Sequence, residues 1–220
     1  YKSGGEMFWD SGNTGSATLN KNVTTYDATI KHSGNYSAKL QSQYVALFGI
    51  GAFAAGNVFV GKFLKIDGTD GILRFGRPFT SRPSKLVLYY RYVAGTVDYS
   101  TLSELPKNSK DMGSIYIALG DWPHQTFEGE TDIPVLVKTK PADRQLFDSN
   151  SSNVIGYGEC ILKESTEGEG LIKLEIPINY RSNRKPTDII LVGSASRYGD
   201  YFTGSTGSTL WLDDLELIYE

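Results

Sequence analysis

The chain has 220 residues, 40% of them hydrophobic and 21% charged, with 14 Tyr, 10 Phe and 24 Gly, a length and balance that suit an all-β domain with a core needing no cross-links. A net charge of −3 offers no basic footprint for nucleic acid. The most apolar stretch, 44–60, is broken by Gly49, Gly51 and Gly56 and cannot cross a bilayer, and a lone Cys160 excludes an internal disulfide or a multi-cysteine metal site.

From the N-terminus, the first landmark is Phe8-Trp-Asp-Ser-Gly-Asn13, where Trp9 and Asp10 run into a Gly-Asn turn. Trp9 either packs in the core, the plainer role, or lines a concave sheet face. Residues 37–43 read as a strand carrying Ala38, Leu40 and Ser42 inward. The segment 85–93 puts Leu86, Leu88, Tyr90 and Tyr92 on one face and Val87, Tyr89 and Val93 on the other, so a strand covered on both sides is expected. A polar loop, 97–112, follows, pinned by Leu102, Leu105 and Pro106. Further strands are predicted at 114–119, 133–138, 153–162 and 188–194, with loops at 143–153 and 164–170. Between them, 170–180 sets Ile172, Leu174, Ile176 and Ile178 against Lys173 and Glu175, a strand with one wet face. Cys160 lies in a strand without a nucleophile's surroundings and is expected to be inert. No window carries a helical stripe capped at both ends. Eight or more strands without strand–helix alternation, linker or repeat predict a single all-β domain over 1–220, an antiparallel two-sheet sandwich or jelly roll.

Near the C-terminus, Arg197, Tyr198, Asp200, Tyr201 and Phe202 combine flat apolar rings with charged hydrogen-bonding groups. A pyranose needs that pairing, because its C–H face stacks on a ring while its hydroxyls bridge to carboxylate and guanidinium. The plainer reading has Tyr201 and Phe202 plugging the end of the sandwich and Asp200 capping a turn. In Asp121-Trp-Pro-His124, Trp122 is expected either as an exposed sugar platform beside a hydroxyl-bonding His124 or folded back over the sheet edge. Arg77 and Arg82, flanking prolines, are expected to brace loops rather than clamp an acidic sugar. Asp213 and Asp214 interrupt an apolar final strand in which Trp211, Leu215, Leu217 and Tyr219 share a face. Period two turns Asp213 inward with them, unless a β-bulge returns both carboxylates to solvent. Glu128-Gly-Glu130 and Glu167-Gly-Glu169 are loop-like, and no hydrolase, phosphate-binding or dinucleotide motif is present.

Three segments, 32–40, 75–83 with the strand after it, and 194–217, resemble the putative carbohydrate metabolism domain (PCMD) family of exported and surface proteins in glycan-foraging anaerobic bacteria. The anchors run from about Gly61 to Tyr219, and the first sixty residues follow only the looser pattern of jelly-roll carbohydrate-binding modules. The resemblance implies a galactose-binding-like jelly roll, the C-terminal portion of a longer exported precursor at the periplasm or outer-membrane surface, lipid-anchored through a part preceding Tyr1. It supplies no catalytic residues. It also implies a structural calcium, for which Asp213 or Asp214 would act with Glu6 or Asp10. The expected function is non-catalytic binding of a polysaccharide or oligosaccharide by a monomer. Trp122, Tyr198, Tyr201 and Trp9 would stack on sugar rings, while Asp200, Arg197 and His124 select hydroxyl patterns. A glycoside hydrolase or related carbohydrate-active enzyme on the same scaffold, and a structural or protein-interaction spacer, are the alternatives.

Overall fold

Side chains along a strand alternate between two surfaces, and the computed structural model, which describes residues 2–3, 6–17, 21–47 and 50–219, builds two sheets on that alternation. The large sheet runs Val135–Lys138, Asp70–Phe75, Asn57–Asp67, Asp188–Ser194, Gly113–Gly120, Val154–Leu162 and Asn179–Tyr180. Trp9–Ser11 adds to Asn57–Asp67, and Arg77–Pro78 to Asp188–Ser194. The small sheet runs Ile172–Pro177, Lys85–Val93, Thr209–Ile218, Ser37–Gln41 and Thr24–Asp27. Every ladder in both is antiparallel. A separate hairpin, Gln43–Leu47 with Ile50–Ala54, lies in the chain between Ser37–Gln41 of the small sheet and Asn57–Asp67 of the large one. Among the described residues, helix is limited to Asn13–Ser16 and short 3-10 turns. The all-β sandwich is the fold expected from the sequence.

The core between the sheets takes Ile115, Ile117, Leu119, Ile189 and Leu191 from the large sheet and Leu40, Leu86, Leu88, Leu210 and Leu212 from the small one, all buried. Each such side chain withdrawn from water contributes about 1.5–3 kcal/mol. The opposite faces of the same large-sheet strands carry Ala118, Ile190 and Val192, which join Phe59 and Phe75 in a second apolar cluster. The doubly covered strands are therefore Gly113–Gly120 and Asp188–Ser194, and Lys85–Val93, expected to be another, is covered on its outer face in part, with Val87 buried. Its outward Tyr89 is screened by the His32 ring, stacked at 3.3 Å, and Val93 is exposed.

Trp122 belongs to that second cluster. It is 7% exposed and lies over Gly120, where an added Cβ would sit 2.3 Å from its ring, with Phe147 packed against its edge at 6.3 Å. An exposed sugar platform at this position is therefore ruled out by packing. The glycine two residues earlier makes room for the indole to fold back onto the sheet.

The aspartate doublet is also corrected. Val87 pairs with Glu216 but Tyr89 with Asp213, so the final strand holds one extra residue, and Asp214 adopts φ 47°. This bulge switches the alternation: Leu210 and Leu212 point inward before it, and Leu215 and Leu217 pack against the core after it. Asp213 does not turn inward. Its Oδ2 accepts the N–H of His32 at 2.8 Å, and Asp214 Oδ2 meets His32 Nδ1 at 2.7 Å, which fastens the turn at 32–33 to the strand. Asp10 lies in the other sheet, where its two oxygens accept the N–H groups of Ser11 and Phe63 at 2.8 and 2.7 Å. The carboxylates of Asp10, Asp213 and Asp214 thus each hold chain donors in different places, and among the described residues no three acidic, His or Cys side chains gather. The side chain of Glu6 lies outside the described residues.

Candidate functional site

Part of the large sheet's outer face floors a cleft. Its deepest part, about 60 Å³, is lined by Phe59, Leu73, Tyr116, Val192 and Ser194, with Asp200 above them. It opens into a chamber of about 440 Å³ walled by the Asn13–Ser16 helix, the 43–54 hairpin, the tip at 66–71 and the turn at 199–202. A second lobe, about 460 Å³, shares Phe53, Asp70 and Phe202 with the chamber and adds Tyr44, Tyr99 and Lys107. There Tyr44 stacks on Tyr99 at 5.1 Å with 9° between the rings, and Phe53 lies 5.9 Å from Tyr99. The site therefore pairs a wide aromatic mouth with a narrow floor.

The turn that carries Asp200 is held from below. Asp111, fully buried, accepts hydrogen bonds from Ser196 Oγ at 2.6 Å and from the Ser205 N–H at 2.8 Å, so both ends of the segment are tied to one carboxylate. Thr101 Oγ1 donates to the carbonyl of Tyr201 at 2.6 Å, and Phe202 closes the turn in the left-handed region, φ 53°, donating its N–H to Gly199 O at 2.9 Å. Gly199 is required because a Cβ there would lie 2.3 Å from that of Ala55. That close approach seats Asp200 over the sheet floor.

Asp200 is open to the cleft, and its carboxylate makes no hydrogen bond or ion pair with any described residue. Protein crowds its other sides. The resulting desolvation pushes its pKa up to about 6, opposed only by the positive charge of Arg144. Asp70, at the tip of the 57–75 hairpin, is likewise raised by burial, against weak hydrogen bonds from Thr139 and Thr69, each 3.4 Å long. Arg144 acts on both acids: its guanidinium lies 4.6 Å over the Tyr201 ring, and its Nε donates to Thr139 O at 3.0 Å. Ser16, 3% exposed, lines the same chamber, and its Oγ has no hydrogen-bond partner among the described residues. Buried hydroxyls are as a rule hydrogen-bonded, so this one is available to a polar group that enters the chamber. On the floor, Tyr116 is held as a neutral phenol by burial and by the negative charges of Asp200 and Glu159 nearby.

Of the residues singled out in the sequence, Asp200 and Phe202 line the chamber and Arg197 the floor, where it pairs with Glu159. Tyr198 and Tyr201, half-buried and edge to face at 6.4 Å, support the turn from behind. Trp9, half-buried against Phe8 at 5.8 Å, packs on the main core. His124 is elsewhere: its Nε2 lies 3.0 Å from the buried Asp188, at the Gly120 end of a ladder whose other end, Ser114 with Ser194, leads into the cleft. Six residues of strand put about 20 Å between those ends, so Trp122 and His124 do not join the 197–202 cluster. Sequence reading missed Asp70, Ser16, Tyr44, Phe53 and Tyr99, which look like ordinary strand, helix and loop residues until the chain brings them together. Arg77 and Arg82 brace as expected: Arg77 donates to the carbonyls of Met7 and Gly61, Arg82 to those of Ser182 and Arg184. Cys160 is half-buried, and desolvation pushes its thiol up, as expected of an inert residue.

Residues 1–218 match the family described as "Putative carbohydrate metabolism domain". The chain belongs to this family. The match includes the first sixty residues, beyond the segment in which the anchors were recognised. This PCMD chain also resembles two crystal structures, each of a putative glycoside hydrolase. One, from Bacteroides thetaiotaomicron, has a TM-score of 0.69 and 22% identity over 100% of this chain and 66% of its own. The other, from Bacteroides vulgatus, has a TM-score of 0.69 and 24% identity, covering 100% of this chain and 89% of its own. No curated protein matches the sequence. No helix among the described residues is long and apolar enough to cross a membrane.

Proposed function

We propose that this carbohydrate metabolism domain engages a segment of a polysaccharide in the cleft on the outer face of its large sheet. The observation that carries this reading is the lining: Tyr44, Tyr99 and Phe202 present rings to the same continuous space that Asp70 and Asp200 supply with carboxylates, with the buried Phe53 packed beside Tyr99. Rings stack on the C–H faces of pyranoses, and uncommitted acceptors take their hydroxyl protons. The lobed, open form suits a stretch of chain, and the names of the two structural neighbours point to the same ligand class. The domain is read as a monomer of an exported protein, lipid-anchored at the bacterial surface, a setting in keeping with the Bacteroides source of both neighbours.

Calorimetric titration and affinity electrophoresis with soluble xylan, β-glucan, galactomannan and starch test the reading. At least one of these is expected to bind, and Phe202→Ala to weaken it about tenfold, the loss of one stacking contact worth about 1.4 kcal/mol. Unchanged affinity in that variant, or no binding to any of the four, overturns it.

A further inference from the structure

The floor of the cleft is too small for a sugar ring. Its volume, about 60 Å³, gives room for about two water molecules at roughly 30 Å³ each. The chamber it opens into, about 440 Å³, is of the size that takes whole rings. Two rows of side chains, laid across three neighbouring strands, make the floor. Phe59 pairs with Val192 and Val192 with Tyr116, a row of two apolar side chains that ends in a phenol. Two residues along, where a strand repeats its face, Asn57 pairs with Ser194 and Ser194 with Ser114, a row of one amide and two hydroxyls. Ser194 Oγ gives its proton to the carbonyl of Ser196 at 2.8 Å. The hydroxyls of Tyr116 and Ser114 make no hydrogen bond to a described residue. Asp200 lines floor and chamber alike, an uncommitted acceptor where the two spaces join.

We propose that the floor admits the exocyclic hydroxymethyl group of a hexopyranose and so restricts the cleft to polymers of neutral hexoses. This rests on the reading that the glycan occupies the cleft. A hydroxymethyl group has two non-hydrogen atoms, which suits the volume, and the same divided character as the floor. Its methylene lies on the row of Phe59 and Val192. Its hydroxyl donates to Asp200 and accepts from Tyr116 and Ser114. The ring stays in the chamber, which Phe202 lines. A pentopyranose has only hydrogen at this position and leaves the floor unfilled. A hexuronate places a carboxylate there, against the charge of Asp200. Asp200 is thus the residue that separates the three sugar classes.

The same four polysaccharides used for binding make the first comparison, since xylan lacks the group and β-glucan, galactomannan and starch carry it. One or more of these three is expected to bind at least about tenfold more tightly than xylan. The polysaccharide that binds is then oxidised selectively at C6, which turns the hydroxymethyl groups into carboxylates and keeps the backbone. The oxidised form is expected to bind at least about tenfold more weakly, and Asp200→Asn, which removes the like charge, to regain part of that loss. Asp200→Ala weakens the native polysaccharide by about tenfold. Xylan bound at least as tightly as the hexose polymers, oxidation without effect, no regain in Asp200→Asn, or Asp200→Ala as tight as the wild type overturns the assignment and leaves the cleft reading standing. No binding to any of the four overturns both.

Discussion

At position 200 a carboxyl group faces the cleft with protein atoms close about it, and its proton affinity records that. The folded-state pKa, about 6, lies above the unfolded value of about 3.9. Between those two pH values the folded chain binds more protons than the unfolded one, so stability falls as pH rises through the window and stays lowered above it. Because the side chain reaches solvent, screening keeps this cost under about 1 kcal/mol. Asp200→Asn removes the titration. Its denaturation midpoint in urea is expected to exceed the wild type's at pH 7.5 and to coincide with it at pH 3.5. An equal offset at both pH values would show that the carboxyl is not strained by its surroundings. Phe202, beside it, accepts a left-handed backbone although it is not glycine. Such strain gathers where the surrounding structure fixes a functional side chain.

Among the elements, the final strand shows how one inserted residue sets two faces. Trp211 points outward between Lys39 and Arg91, 5.6 and 5.3 Å from its ring, and its Nε1–H donates to Asp27 Oδ2 at 3.0 Å. Without the bulge, Leu215 and Leu217 would follow Trp211 and Asp213 to the outside. Deletion of Asp214 removes the extra residue and leaves Leu215 and Leu217 facing inward on a regular ladder, so it is expected to cost under about 1 kcal/mol, read from the urea midpoint. Substitution by Val, which keeps the count of residues but must still take the left-handed backbone, should cost about 1–2 kcal/mol more. Equal effects from the deletion and the substitution would refute this account. Both the doublet and the apolar stripe around it are legible in the sequence. The choice between an inward Asp213 and a bulge is not, because it depends on whether the neighbouring strand keeps register past Val87.

For the whole molecule, the cleft is a product of assembly. Residues 12–16, 51–55, 66–71, Thr139 and 199–202 are distant in the chain and become walls of one space only when the sandwich assembles around the large sheet. A ligand that touches all of them ties the walls together. Glycan at about 100 times its Kd is expected to add about 2.7 kcal/mol to the folded state and raise the unfolding temperature by about 5–10 °C. Phe202→Ala needs roughly ten times more ligand for the same rise. A melting temperature unmoved by a glycan that demonstrably binds would place the contact outside this cleft.

Period-two runs of Ile, Leu, Val and Tyr were enough to determine a two-sheet β-sandwich, because alternation is a local property and any sequence with that rhythm must bury one side of each strand. The pairing of rings and charges at 197–202 was likewise legible, since they are crowded within six residues. Tertiary structure decided the rest. Whether an aromatic ring is open or covered depends on what folds over it: Gly120 and Phe147 buried Trp122, while Tyr44 and Tyr99 were brought to a mouth that no single segment encodes. The same holds for the acids, because a carboxyl's proton affinity is set by its neighbours in space, and those of Asp70 and Asp200 come from other parts of the chain.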